Sequence, residues 1–416
     1  MKIAVDISGQ FGKMTGIQHY VDSLLSALYR LCPPQDNITA FAPTLWSLSE
    51  LDRASGDGLF DWYKAPNCRV DLAGNELQIA TMPVFAGRSV LRSLANKVDG
   101  NVINLYKRNT VSSRVRTAVR RYDLYHIPEP GSVHFLPYRP RHVIGTIYDL
   151  TTITHARAHL ANTVPSFAAY HGYLTRYASR VIAISEATKA DIVEHLGLSP
   201  DRVDVTPLAA RISTRRIEDA SIRNQVLGDL DLQVEVPFVL YAGTLEPRKN
   251  LKCLVKAFAQ VIKQEKTLPH NLVLAGGNWD RHDWELRLLA CEEGIGGRVL
   301  TTGYVTNEQM NVLMSACDAF TYISQYEGFG LPPLEAMVCG APVITSNTSS
   351  LPEVVGEAGI QVPPRDVQAV ATALHRLLTD RTENERRRTL SRKRAQQFSW
   401  ERTAQLTLQS YKAAIA

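Results

Sequence analysis

Two short stretches of this chain concentrate the residue types that grip phosphates and sugar hydroxyls. The denser one is Tyr326-Glu327-Gly328-Phe329-Gly330-Leu331-Pro332-Pro333-Leu334-Glu335, immediately after an apolar run at 319–323. It reads as a strand end, two glycines that let a ligand approach the backbone, and a helix started by proline. Free amides at a helix N-terminus attract anions. Glu327 and Glu335, before and inside the first helical turn, could accept hydrogen bonds from a polyhydroxylated ligand. The plainer alternative makes Glu327 a solvated loop residue and Glu335 a complement to the helix dipole. The second stretch, Tyr241-Ala242-Gly243-Thr244-Leu245-Glu246-Pro247-Arg248-Lys249-Asn250, also joins a strand to a helix. It offers a guanidinium fork and an ammonium point charge suited to a diphosphate. Adjacent cations in a loop are more often solvated surface; the pairing with the glutamate stretch favours a site.

Positioning such residues requires strand ends. Short Val/Ile-rich runs alternate with longer amphipathic segments, which predicts an α/β fold with parallel sheets. Runs at 3–7, 38–42, 124–127, 143–147, 181–184 and 203–206 form a first unit, residues 1–210. Ile17, Tyr20, Val21, Leu24, Leu25 and Leu28 fall at helical spacing after its first strand. Residues 211–236, charged and without a clear strand, read as a linker. Runs at 238–242, 272–275, 299–301, 319–323, 343–345 and 360–362 build a second unit, 237–397. An amphipathic tail at 398–416 is expected to pack toward the first unit. Open parallel sheets bind ligands beyond their strand carboxyl ends, so a cleft between two such units is the expected seat of chemistry.

Composition bounds the rest. With 416 residues, 45% hydrophobic and 21% charged, the chain can bury cores without staples. The net charge of +5 is far from that of a dedicated nucleic-acid binder. The charge is uneven, however: 88–142 holds eleven Lys or Arg against three acids. Six scattered cysteines form no zinc spacing and suit a reduced, cytoplasmic setting. The first seven residues read as a strand rather than a leader, and no run approaches the roughly 20 apolar residues of a membrane span.

The two clusters, with Leu351-Pro352-Glu353-Val354-Val355-Gly356 following in order, resemble the signatures of the retaining glycosyltransferases of family 4. That resemblance implies the GT-B architecture of two Rossmann-like, doubly wound parallel-sheet domains facing a cleft, the first for the acceptor and the second for a nucleotide diphosphate sugar. It places Glu327 near the donor sugar and Glu335 on the ribose. Lys249 and Arg248 would take the phosphates, with Thr244 and the amides of Phe329, Gly330 and Leu331 beside them. In the first unit Thr15-Gly16-Ile17-Gln18-His19-Tyr20 is similar to the family's glycine-containing loop, with Gly16 approaching the donor phosphate and His19 where many relatives have Arg. Gly145-Thr146-Ile147-Tyr148-Asp149-Leu150 puts Tyr148 where many relatives carry His; Tyr148 or Asp149 would orient donor or acceptor. A phenol there cannot be a cationic acid near neutral pH. A packed aromatic at Tyr148 and a helix cap at Asp149 are the structural alternatives. His126 is set aside as structural.

No cofactor and no metal are expected. Asp229-Leu230-Asp231 mimics a metal-binding carboxylate pair but sits in the presumed linker. The expected donor is GDP-mannose, because the Gly243 to Asn250 variant resembles the mannosyltransferase-like subgroup of bacterial polysaccharide and O-antigen assembly; fucose, rhamnose or glucose remain alternatives. The acceptor would be a glycan or lipid-pyrophosphate hydroxyl, reached by a cytoplasmic protein whose basic segment touches an anionic inner membrane face. A nucleotide-sugar 2-epimerase, a dinucleotide oxidoreductase and a catalytically silent sugar-binding protein complete the readings. The oxidoreductase is disfavoured because residues 9–16 lack the Gly-x-Gly-x-x-Gly spacing.

Overall fold

The computed structural model describes residues 1–7, 16–32, 37–41, 70–71, 120–130, 140–154, 163–277 and 282–416. Of the basic segment only Arg120, Arg121 and Arg141 fall among these; its other cations, Thr15, and the loop ahead of Gly16 lie outside the described residues. The chain divides into two compact units. One comprises Met1–Ile184, Lys189–Thr206 and Trp400–Ala416, the other Ser185–Thr188 and Pro207–Ser399.

In the first unit the elements run β1 (Lys2–Asp6), α1 (Gly16–Leu31), β2 (Asn37–Phe41), β3 (Val70–Asp71), β4 (Leu124–Ile127), β5 (His142–Ile147), α2 (Thr151–Thr154), α3 (Thr163–Tyr177), β6 (Arg180–Ala183), α4 (Glu186–Leu196) and β7 (Val203–Val205). The final helix, Trp400–Ile415, completes it. All strand pairings are parallel, in the order β3-β2-β1-β4-β5-β6-β7. The two-residue β3 was not foreseen, being too short to show a pattern. The apolar stripe of α1 is buried as its spacing predicts: Tyr20, Val21, Leu24, Leu25 and Leu28 are all sealed from solvent.

The second unit contains α5 (Ala220–Asp229), β8 (Phe238–Ala242), α6 (Leu251–Gln264), β9 (Asn271–Ala275), α7 (His282–Glu292), β10 (Val299–Gly303), α8 (Asn307–Ala316), β11 (Ala319–Tyr322), α9 (Leu331–Val338), β12 (Val343–Ser346), α10 (Leu351–Val355), β13 (Ile360–Val362), α11 (Val367–Thr379) and α12 (Arg381–Ala395). Its sheet is also wholly parallel, ordered β10-β9-β8-β11-β12-β13. β8, β11 and β12 are buried along their whole length, as expected of strands covered on both faces. Residues 211–236, read as a linker, instead group with this unit and include α5, whose N-cap Asp219 accepts from the Ser221 and Ile222 amides. The segment looks linker-like because only one side of it is apolar: Ile217 and Leu227 are buried while most of its charges after Arg211 face out. Asp229 ends α5 and Asp231 occupies a left-handed turn.

Each sheet has one place where neighbouring strands are not consecutive in winding, so their following loops diverge: β1/β4 in the first unit and β8/β11 in the second. Such switch points open a crevice at the strand carboxyl ends. The two sequence clusters follow β8 and β11.

Candidate active site

After β8 the chain passes Gly243 and forms a single 3-10 turn, Pro247–Lys249, with Asn250 in left-handed conformation before α6. This turn directs Lys249 inward; the residue is 7% exposed, which excludes the solvated-surface alternative. Its Nζ donates to Glu327 Oε1 at 2.5 Å and to Tyr322 Oη at 2.8 Å, and lies 3.8 Å from Glu246 Oε1. Arg248 donates from Nη2 to Glu246 Oε1 at 2.7 Å, stands 3.3 Å from Glu327 Oε1, and bonds the Tyr326 carbonyl. Two cations and two carboxylates thus interlock, with Tyr241 stacked on Tyr322 beneath them at 5.7 Å. Burial by itself would push the Glu327 carboxyl up, but Lys249 and Arg248 outweigh it and hold the group below its usual value. Glu327 is therefore an ionised acceptor at neutral pH, not a solvated loop residue.

The loop carrying Glu327 is fastened from behind. Its amide donates to Ser349 Oγ at 3.0 Å, and Ser350 Oγ donates to the carbonyls of Glu327 at 2.9 Å and Phe329 at 2.7 Å. These serines immediately precede α10, so the residues just ahead of the Leu351–Gly356 stretch clamp the Glu327 loop. Gly330 is the N-cap of α9 at φ 110°, and a Cβ there would stand 2.7 Å from Leu351 Cδ2. Only glycine fits. Pro332 and Pro333 have no N–H, so the donors at this helix start are the amides of Phe329, Gly330 and Leu331, which serve no acceptor among the described residues. Ammonium, guanidinium and directed amides around an ionised carboxylate can hold a diphosphate on one side and sugar hydroxyls on the other.

Glu335 is 4% exposed, and Arg211 grips it bidentately, Nε to Oε1 at 2.6 Å and Nη2 to Oε2 at 2.8 Å. Arg211 also donates to Asn307 Oδ1 at 2.6 Å. Sequence reasoning missed Arg211, Ser349 and Ser350. Arg211 lies in a segment read as linker, far along the chain from its partner, and no local signal marks it. Thr244 is exposed, and its carbonyl accepts from Tyr241 Oη at 2.9 Å.

The remaining anticipated residues belong to the first unit. Gly16 opens α1. Tyr148 is half-buried, edge-on to Tyr20 at 5.3 Å, and burial pushes its phenol well above the usual value, so it stays neutral. Asp149 Oδ1 accepts from the Thr151 amide at 2.9 Å and from its hydroxyl at 2.5 Å, a cap on α2. His126 is fully buried between Tyr411 Oη at 2.7 Å and Thr146 Oγ1 at 2.8 Å, a structural role. Among the described residues no cluster of three His, Cys, Asp or Glu could hold a metal ion, and no helix is long and apolar enough to cross a membrane.

Comparison with known proteins bears on the fold and the family. The chain is 33% identical over 299 residues to O-antigen chain mannosyltransferase B of Escherichia coli, covering 71% of this chain and 76% of that one. It is 31% identical over 235 residues to the serotype-specific mannosyltransferase WbdA of Escherichia coli, covering 56% of this chain but 29% of WbdA. Among solved structures, Anabaena Alr3699/HepE in complex with UDP and glucose superposes with a TM-score of 0.68 at 17% identity, over 99% of this chain and 100% of that one. WaaG, a glycosyltransferase involved in lipopolysaccharide biosynthesis, gives 0.63 at 14% identity, over 97% of each. The expected GT-B fold is therefore correct. Residues 225–397, which contain the whole Lys249/Glu327 cluster, match the family described as Glycosyl transferases group 1. The chain belongs to that family and is a glycosyltransferase.

Proposed function

We propose that the protein transfers mannose from GDP-mannose, with retention at the anomeric carbon, to a hydroxyl of a glycan or lipid-linked acceptor in cell-surface polysaccharide assembly. The observation that carries the reading is the buried Lys249–Glu327–Arg248 cluster beside the three amides that open α9, at the switch point of the second sheet. The named activities of the Escherichia coli relatives support mannose and O-antigen.

Transfer breaks the bond from the anomeric carbon to the phosphate oxygen and forms one to the acceptor oxygen. Charge grows on the departing diphosphate while the sugar becomes cation-like. Lys249, Arg248 and the amides of Phe329, Gly330 and Leu331 stabilise that charge, each such donor contributing about 2 to 4 kcal/mol. Glu327 accepts from sugar hydroxyls and Glu335 from the ribose. The acceptor proton passes to the leaving phosphate oxygen as the acceptor attacks from the same face, so no protein nucleophile is needed. In the first unit, which we assign to the acceptor, Tyr148 and Asp149 orient donor or acceptor, the Tyr148 phenol staying neutral, and Gly16 lets the donor phosphate approach. No metal or other cofactor enters this scheme. The protein would act in the cytoplasm, from the inner face of the membrane.

A thermal-shift panel of GDP-mannose, GDP-fucose, UDP-glucose, dTDP-rhamnose and the free nucleotides tests the donor. A ligand at about 100 times its Kd adds roughly 2.7 kcal/mol, several degrees for a unit of this size. GDP and GDP-mannose should shift the transition and the uridine compounds should not. A shift from UDP-glucose alone overturns the donor, and no shift from any overturns the site. Incubating GDP-mannose without acceptor should yield no epimer; an epimer would favour the 2-epimerase reading.

A further inference from the structure

The first unit contains a cavity of about 460 Å³ between α2, α3 and the end of α4, separate from the polar cluster at β4 and β5. Three observations give it a chemical character. First, His171 lines it at 3% exposure, and its Nδ1 finds no hydrogen-bond partner among the described residues. Burial holds this imidazole down to about 4 while Asp149 pulls the other way, so at neutral pH it is an uncharged donor or acceptor.

Second, Gly172 lies within α3 and also lines the cavity. Glycine in a helix interior is unfavourable relative to alanine. Here neither usual justification applies: its φ is not positive, and an added Cβ would meet nothing within 4 Å. Gly172 is on the exposed side of α3, so its missing side chain leaves the mouth of the pocket open rather than relieving a clash.

Third, the lining is amphiphilic with one sign of charge. Ile153, Val164 and Leu196 supply apolar surface, Arg176 and His195 stand exposed at the open side of the pocket, and no acidic side chain lines it among the described residues. Arg176 forms no ion pair among those residues; its guanidinium lies 5.3 Å from the centre of the Tyr177 ring. A cation with no internal counter-charge beside an apolar wall complements an anion on a hydrocarbon body.

We propose that this cavity binds a phosphate monoester carried on an apolar chain, with the phosphate against Arg176 and His195 and the chain along Ile153, Val164 and Leu196. The site lies wholly within the first unit and does not depend on the donor assignment. Calorimetric titration of the full chain with decyl phosphate below its micelle concentration tests it, with decanol and inorganic phosphate as controls. Decyl phosphate should bind one to one and about tenfold or more tighter than either control. Gly172→Leu fills the space and should weaken binding at least about tenfold, with an unchanged or raised Tm because leucine favours helix. Arg176→Gln should weaken it about fivefold. Equal affinity for decanol, or undiminished binding by folded Gly172→Leu, overturns the site. Flotation with phosphatidate vesicles separates two sources of the same chemistry. Flotation lost in Gly172→Leu assigns a lipid headgroup; identical behaviour of both proteins assigns a free amphiphile.

Discussion

The two sheets present polar groups at their carboxyl ends in opposite ways. In the second unit the groups are charged: Lys249, Arg248, Glu246 and Glu327 interlock. In the first, besides Asp6 at the end of β1, which accepts from Tyr125 Oη at 2.7 Å, the buried network is built of uncharged groups: Tyr20, Thr146, His126 and Tyr411 form a chain of hydrogen bonds of 3.2, 2.8 and 2.7 Å, all sealed from solvent. Burial is similar; the partners differ. Glu327 is buried beside cations and stays ionised, whereas His126 is buried beside hydroxyls and its imidazole is pushed down to about 3. The charged cluster can meet a charged ligand. The neutral one fixes the final helix, through Tyr411, to β4 and β5.

Breaking the charged cluster should therefore cost activity, and breaking the neutral one should cost stability. Lys249→Ala and Glu327→Ala should each lower transfer at least about a hundredfold in a radiolabelled-donor assay, about 2.7 kcal/mol or more of transition-state stabilisation. Arg211→Ala leaves the Glu335 carboxylate buried without its cation. The expected result is a donor KM raised about tenfold with kcat little changed, partly restored by Arg211→Lys; an unchanged KM would remove Glu335 from the ribose contact.

Two buried histidines of the first unit, His126 in the neutral network and His171 outside it, predict an acid limit. An unfolded histidine takes a proton near 6.5, but folded His126 does so only near 3 and His171 only near 4. Between those values the unfolded state holds more protons. Stability is thus complete above about pH 6.5 and falls as pH drops toward 3, by up to about 1.4 kcal/mol per pH unit for each group. Urea midpoints measured from pH 7 to 5 should show this slope, and His126→Asn should reduce it by about one proton. Tyr148→Phe, which removes one hydroxyl that cannot ionise, should change transfer by roughly three- to tenfold. A hundredfold loss would move Tyr148 into the charged chemistry.

Much of this was legible beforehand. The apolar runs gave nearly every strand because parallel strands buried on both faces need uninterrupted hydrophobic sequence. Glu327 and Lys249 stood out because glycine and proline punctuate the turns that carry them. Arg211 and the serines ahead of α10 did not, since tertiary partners far apart in sequence leave no local spacing. The segment 211–236 hid α5 because a helix with one thin buried edge reads as charged linker. The alternatives for Asp149 could be separated only by its hydrogen bonds.

The central claim is that the second unit holds a nucleotide diphosphate sugar through the Lys249/Glu327 cluster. A crystal structure with GDP-mannose tests it most directly. The account predicts phosphate oxygens within hydrogen-bonding distance of Lys249 Nζ and of the amides opening α9, with sugar hydroxyls on Glu327. A well-ordered donor bound away from these groups would contradict it.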